Sequence, residues 1–126
     1  MTAFRTIRVM IVDEHEMVVA SLEIMFEDYK GIEVCGRAIN GAQAIEMAGQ
    51  LLPDVILMDL MMPVMDGLTA TKIIRQQHPQ IKIVILTAST LEADKDAAFA
   101  AGAHAYIGKD CTSGQLIDTI RETVRI

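Results

Sequence analysis

Apolar and polar positions alternate along the chain in two kinds of block. Short apolar or β-branched runs, typical of buried strands, cover residues 8–12, 32–38, 55–58, 81–86 and 105–107. Longer blocks with apolar residues three and four positions apart predict helices over residues 17–29, 42–52, 67–78, 92–101 and 113–125. Strands that alternate with helices in this way indicate a parallel sheet covered by helices on both faces.

Residues that favour turns and caps mark several boundaries of these blocks. Pro53 and Pro79 end the second and third helices. Asp66 is expected at the start of the third helix, Gly102 at the end of the fourth, and Ser113 as the N-cap of the fifth. The loops between blocks are short, and neither a linker nor an internal repeat is visible.

Composition narrows the class of protein. The 126 residues are 52% hydrophobic, which predicts one folded domain over residues 1–126. No apolar run approaches the roughly 20 residues of a membrane span, and the first residues lack a signal-peptide layout, so a cytoplasmic protein is expected. The net charge of −6 argues against direct nucleic-acid binding by this chain. Cys35 and Cys111 form no CxxC and are expected to be reduced thiols without a metal.

Chemistry-bearing side chains follow four of the five predicted strands. They are Asp13 and Glu14 after the first strand, Asp59 after the third, Thr87 and Ala88 at the end of the fourth, and Lys109 after the fifth. Ligands of open parallel sheets bind beyond the carboxyl ends of the strands. We therefore expect these residues to converge on one pocket.

The charges of this pocket predict a metal ion. Three carboxylates face one ammonium, and like charges brought together destabilise each other. A divalent cation held by oxygen atoms, Mg²⁺ or alternatively Mn²⁺, would remove the excess and bridge to a phosphoryl group. A carboxylate at the end of a buried strand, Asp59, can then act as a nucleophile toward phosphorus.

Four segments, "VDEHEMV", "MDLMMPVMDG", "LTAS" and "YIGKD", together resemble the receiver domain of two-component response regulators. They occur in the family's order over essentially the whole chain. The resemblance implies a flavodoxin-like (βα)5 doubly wound α/β fold with strand order 2-1-3-4-5. "YIGKD" is similar to receivers whose output is a LuxR-type helix-turn-helix.

The resemblance also implies the roles of the acidic residues. Asp59 accepts a phosphoryl group from a phosphohistidine on a sensor histidine kinase. Asp13 and Asp59 bind Mg²⁺, Glu14 holds it through water, and the backbone carbonyl of Met61 is a further ligand. Glu14 is a departure, because most family members carry a second aspartate there.

Further roles implied by the resemblance concern the phosphoryl group and the switch. Thr87, the Ala88 amide and Lys109 hold the phosphoryl oxygens. On phosphorylation the Thr87 hydroxyl moves toward the phosphate and Tyr106 turns into the vacated space. Ser89, two residues after Thr87, lies where the family tunes the lifetime of the phosphate. Asp110 is a second departure, since many receivers have a proline there.

The expected function is a signalling switch rather than an enzyme acting on other substrates. A sensor histidine kinase is the expected partner, with a phosphorylation-dependent homodimer. The chain is expected to lack an output domain, and DNA to be reached through a C-terminal domain of a longer transcription regulator. The alternatives are a degenerate receiver that only binds proteins, an aspartyl-phosphate phosphatase, and a small nucleotide or flavin module. His15, beside the acid pair, is interpreted as an exposed residue of the first helix turn rather than as a metal ligand or a base. His78 and His104 are interpreted as surface residues.

Overall fold

The computed structural model of the chain describes residues 5–125. The strands are Ile7–Val12 (β1), Ile32–Ala38 (β2), Val55–Met58 (β3), Lys82–Thr87 (β4) and Ala105–Gly108 (β5). The helices are Glu16–Glu27 (α1), Gly41–Leu51 (α2), Gly67–Gln77 (α3), Glu92–Ala100 (α4) and Ser113–Arg125 (α5). Every predicted element is present, with bounds that differ from the prediction by at most two residues. Within residues 5–125, no helix combines the length and the apolar character needed to cross a bilayer.

All neighbouring strands pair in parallel, in the order β2-β1-β3-β4-β5. This order confirms the predicted flavodoxin-like fold. The chain moves outward from β1 to β2 and then returns to the other side of β1 to form β3. The strand order therefore reverses between β1 and β3, and the crevice for a ligand lies at their carboxyl ends.

The core has two layers, one on each face of the sheet. Alternate strand residues point to opposite faces, so Met10 and Val12 pack on one side of β1 while Val9 and Ile11 pack on the other. The first layer is closed by alanines and Ile74 of α2, α3 and α4. The second is closed by apolar residues of α1 and α5, among them Phe26 and Leu116. Because both faces are covered, the buried stretches Val9–Val12, Val55–Met58 and Ile83–Leu86 of the central strands are continuously apolar.

The local boundaries confirm most of the predicted caps. Asp66 caps α3 by accepting a hydrogen bond from the backbone N–H of Thr69 at 2.8 Å, and Gly102 follows α4 with a φ of 109°. The prediction that Ser113 is the N-cap of α5 was wrong. Thr112 holds that position: its hydroxyl accepts from the Gln115 N–H at 3.1 Å, and the Gln115 side chain accepts from the Thr112 N–H at 2.9 Å.

Candidate functional site

Polar side chains meet at the carboxyl ends of four strands. They are Asp13 directly after β1, Asp59 directly after β3, Thr87 at the end of β4, and Lys109 directly after β5. The pairing of the strands fixes where the two carboxylates leave the sheet. The Asp13 N–H donates to the Ala38 carbonyl and the Asp59 N–H to the Val12 carbonyl, each at 3.0 Å.

Lys109 bridges the two buried carboxylates. Asp13 and Asp59 are only 3% and 4% exposed. The Lys109 Nζ lies 2.7 Å from Asp13 Oδ2 and 3.1 Å from Asp59 Oδ2. A buried carboxylate is costly without a partner, and here one ammonium serves two carboxylates. The cluster therefore keeps a net negative charge, which favours a further cation.

The pKa values of Asp13 and Lys109 move apart because of this contact. Burial alone would raise the pKa of the Asp13 carboxyl, but hydrogen bonds from Lys109 and His15 outweigh it, and the pKa lies below its ordinary value. Burial alone would lower the pKa of Lys109, but its hydrogen bonds to Asp13 and Asp59 outweigh that effect and raise the pKa. Both groups are therefore charged at neutral pH.

The loop after Asp59 is folded tightly against the end of β3. The Gly67 N–H, at the start of α3, donates to the Leu60 carbonyl at 3.0 Å. A Cβ at Gly67 would lie 2.1 Å from the Asp59 carbonyl oxygen, so only glycine permits this approach. The Met61 N–H makes a long contact of 3.4 Å with Asp59 Oδ1. The start of α3 therefore holds the Asp59 backbone in place.

Ser89 connects the end of β4 with β5. The Thr87 side chain is fully buried, and its hydroxyl accepts a long hydrogen bond of 3.4 Å from the Ser89 N–H. The Tyr106 hydroxyl donates to the Ser89 carbonyl at 3.2 Å, while its ring is half-buried against the core. Ala88, between them, is exposed and offers little bulk beside the pocket.

The Ser89 side chain extends this connection to α4. Its hydroxyl donates to the Asp94 carboxylate in the first turn of that helix, and accepts from the Leu91 N–H at 3.3 Å. The sequence linked Ser89 with phosphate lifetime and did not reveal these contacts. In the sequence, Ser89 is recognisable only as a serine two residues after a strand-end threonine. This arrangement is too common to predict that the serine connects β4, β5 and α4.

Residues 9–121 match the family described as "Response regulator receiver domain". The chain belongs to this receiver-domain family. It is 40% identical over 120 residues to "Response regulator protein VraR" of Staphylococcus aureus, a match that covers 95% of this chain and 57% of that protein. The chain thus spans just over half the length of the curated relatives it matches. The family places it in two-component signalling.

Solved structures of receivers have the same fold. A LuxR-family two-component response regulator from Aurantimonas superposes with a TM-score of 0.91 at 31% identity, over 95% of this chain and 86% of that one. The response regulator domain of Thermotoga maritima CheB superposes with a TM-score of 0.90 at 30% identity, over 97% and 98%. Both the predicted fold and the resemblance to LuxR-type response regulators are confirmed.

Two residues expected in the receiver's metal site lie outside the buried cluster. The Glu14 side chain is exposed, and its carboxylate is 4.0 Å from the His15 Nε2. The Met61 side chain is also exposed. The roles assigned to Glu14 and to the Met61 carbonyl stay predictions.

His15 contacts the receiver's acidic pocket, although the sequence interpretation favoured an exposed residue of the first helix turn over a metal ligand or a base. Its side chain is 59% exposed, yet its Nδ1 lies 2.9 Å from Asp13 Oδ1. The His15 backbone N–H donates to the same oxygen at 2.9 Å. The signal in the sequence was its position two residues after Asp13, on the same turn.

The donors of this pocket fit a divalent cation. Receiver domains generally bind Mg²⁺ in an acidic pocket, and here Asp13, His15 and Asp59 offer ligand atoms within 4.8 Å of one another. Carboxylate oxygens are the ligands that Mg²⁺ and Mn²⁺ prefer.

Burial raises the pKa of the Cys35 and Cys111 thiols, so these thiols are protonated at neutral pH.

Proposed function

We propose that this chain is a phosphorylation-dependent switch in which Asp59 is the phosphoryl acceptor. An Asp59 oxygen attacks the phosphorus of a phosphohistidine on a sensor histidine kinase. A phosphorus–oxygen bond forms, the phosphorus–nitrogen bond breaks, and the kinase imidazole leaves as a neutral ring after taking a proton from water. The buried Asp13–Lys109–Asp59 cluster at the strand ends carries this proposal.

The hydrogen bonds distinguish the acceptor from its neighbour. Asp13 Oδ2 accepts from Lys109 at 2.7 Å, and Asp13 Oδ1 accepts from two donors of His15 at 2.9 Å. Among residues 5–125, the one hydrogen-bonding contact of Asp59 Oδ1 is the long one with the Met61 N–H at 3.4 Å. Its lone pairs are therefore the more available ones, which favours Asp59 as the nucleophile and Asp13 as a holding group.

The same carboxylates would hold the metal ion. Asp13 and Asp59 are the ligands that the geometry favours for Mg²⁺, or alternatively Mn²⁺, with Glu14 through water and the Met61 carbonyl as additional ligands. When bound, the cation supplies the positive charge that lets a phosphoryl group approach an acidic pocket.

Lys109, Thr87 and Ala88 are proposed to receive the transferred group. The phosphoryl group adds a charge of about −1.5 to −2 beside Asp59. Lys109 is the nearest ammonium, 3.1 Å from the Asp59 carboxylate, and can exchange that contact for a phosphoryl oxygen. The Thr87 hydroxyl and the Ala88 N–H are proposed as the remaining donors, with the Thr87 hydroxyl giving up its weak contact to Ser89.

The proposed relay runs through Ser89. A shift of Thr87 toward the phosphoryl group changes the Ser89 backbone, which contacts the Tyr106 hydroxyl, and the Ser89 side chain contacts α4. A local charge is thereby converted into a rearrangement of α4 and β5. Thr87 and Tyr106 keep the switch roles that the sequence predicted.

The proposed partners follow from the family. A two-component receiver takes its phosphoryl group from a sensor kinase. Relatives described as LuxR-family response regulators support transcription regulation, through a DNA-binding domain of the full-length protein. A homodimer formed on phosphorylation stays part of the proposal. We propose no catalysis beyond the chain's own phosphorylation and dephosphorylation.

Intact mass after incubation with a small acyl phosphate tests the proposal. With Mg²⁺ the chain should gain one phosphoryl group, and it should gain none after chelation of the metal or in Asp59→Asn. Asp54→Asn is the matched control, because Asp54 lies at the opposite end of β3 and pairs with Arg5 at 2.7 Å. Modification of Asp59→Asn would contradict the acceptor assignment. No modification and no Mg²⁺ binding would favour a receiver that only binds proteins.

A further inference from the structure

His15 occupies the N-cap position of α1 without capping the helix. N-cap side chains usually accept a hydrogen bond from the first turn, but the His15 ring makes no such bond. Its Nδ1 points instead to Asp13 Oδ1, at 2.9 Å. The ring is 59% exposed, so nothing in the core obliges it to take this direction.

The spacing of these atoms matches that of two ligands on one metal ion. Metal–ligand bonds of about 2.1 Å place neighbouring octahedral ligands about 3.0 Å apart and opposite ligands about 4.2 Å apart. The separation of His15 Nδ1 and Asp13 Oδ1 is 2.9 Å. Asp13, His15 and Asp59 all offer ligand atoms within 4.8 Å of one another. A cation could replace the hydrogen-bonding proton between His15 and Asp13 with little change in their separation.

We propose that His15 is a nitrogen ligand of the metal site and gives it a preference for divalent transition metals. An imidazole nitrogen suits Zn²⁺ and Ni²⁺, whereas Mg²⁺ favours oxygen; Mn²⁺ also favours oxygen and serves below as the paramagnetic probe of the ligands. With two carboxylates as its only side-chain ligands, the site would discriminate weakly between transition metals and Mg²⁺. This inference rests on the proposed function, because Asp13 and Asp59 are the other ligands.

The test uses the purified chain with Mn²⁺ alone, observed by pulsed electron paramagnetic resonance. Bound Mn²⁺ should show the coupling of a directly coordinated imidazole nitrogen, and His15→Ala should abolish it. His15→Asn keeps a hydrogen-bond donor for Asp13 without an imidazole, so it too should lose the coupling. His78→Asn, a histidine change beyond the end of α3, should leave the signal intact.

Titration of the same variants with Zn²⁺ and with Mg²⁺ measures the metal preference of the site. His15→Ala should weaken Zn²⁺ binding by about tenfold or more, while Mg²⁺ binding changes by less than about twofold. Bound Mn²⁺ without nitrogen coupling in the unchanged chain would overturn the inference, as would equal weakening of both metals. Asp13→Asn should weaken both metals; if it weakened neither, the proposed metal site itself would fail.

Discussion

The centre and the edge of the sheet differ in how firmly they are packed. The four residues that precede each site carboxylate, Val9–Val12 in β1 and Val55–Met58 in β3, are all buried. In β5, at the edge of the sheet, every residue is only half-buried. Within α4, which packs beside β5, Ala98 alone is buried, and Phe99 is exposed.

This difference separates the proposed phosphoryl-transfer chemistry from the proposed switch response. The carboxylates stand on strands that contribute most to the core, where a fixed position favours metal binding and phosphoryl transfer. The elements proposed to respond are drawn from the weakly packed edge, where local rearrangement costs least. Lys109 joins the two regions, since it follows the edge strand and contacts both carboxylates of the centre.

A pair of matched substitutions tests the packing difference most directly. Ile56→Ala in β3 removes a fully buried side chain and should cost about 4 kcal/mol of unfolding free energy. Ile107→Ala in β5 removes a half-buried one and should cost about half as much, roughly 2 kcal/mol. Urea unfolding of both variants measures the difference. Equal losses would mean that the edge is packed as firmly as the centre.

A substitution at the start of α3 tests the packing of the backbone next to the central carboxylate Asp59. Gly67→Ala places a Cβ 2.1 Å from the Asp59 carbonyl oxygen, a clash with backbone that should cost about 3 kcal/mol and lower the rate of phosphorylation. Gly114→Ala is the control, because its nearest contact is the Thr112 hydroxyl at 4.0 Å. That helical change should stabilise the chain by about 0.5–1 kcal/mol. A stable, active Gly67→Ala chain would refute the close approach.

The pH dependence of the free energy of unfolding tests the hydrogen bond that joins the edge strand β5 to β4. The His104 Nδ1 accepts the Ile83 N–H at 3.0 Å, which joins β5 to β4 and requires a neutral ring. Burial, then the charges of Arg75 and Lys82, lower the pKa of His104 below its ordinary 6.5. The folded chain therefore binds this proton less readily than the unfolded chain, and stability should fall as the pH drops below about 6.5.

Urea unfolding between about pH 7.5 and about pH 5.5 measures this loss. The window lies above the ordinary 3.8 of Asp13, whose lowered pKa removes stability only in more acidic solution. His104→Asn keeps an acceptor for the Ile83 N–H without titrating, so its curve should be flatter. The same slope in both chains would assign the pH dependence to other groups.

The smallest expected effect concerns the junction at Ser89. Ser89→Ala removes the hydrogen bond to Asp94 and should cost about 1 kcal/mol, while Asp59 should still accept a phosphoryl group. The nuclear magnetic resonance signals of α4 should then respond less to phosphorylation. Thr90→Ala, at the exposed neighbouring position, is the control. An undiminished response of α4 in Ser89→Ala would exclude Ser89 from the relay.

The alternation of strands and helices and the convergence of the strand-end residues could be predicted from the sequence pattern. Short apolar runs mark the strands, and parallel strands bring their carboxyl ends to one edge, so Asp13, Asp59 and Lys109 were expected to meet. The family resemblance supplied the strand order and the individual roles.

The contacts that were missed depend on side-chain direction. Thr112 and Ser113 are adjacent hydroxyl residues, and only the backbone geometry decides which one caps α5. His15 is two residues from Asp13 in the chain, but its rotamer brings the ring to the carboxylate. His104 was interpreted as a surface residue and is half-buried, because the fold brings the starts of β4 and β5 together. The pattern of apolar and polar residues specifies neither the direction of a side chain nor its contacts with distant segments.

The contact of Lys109 with the central carboxylates has a consequence for binding equilibria. A cation bound at the proposed site on Asp13 and Asp59 would compete with the Lys109 ammonium for the same oxygens, so each would weaken the binding of the other. A partner that draws the segment after β5 outward should therefore tighten cation binding. By reciprocity, the cation should tighten the binding of that partner by the same factor. One lysine would thus couple events at the edge of the sheet to the metal affinity of the proposed site at its centre.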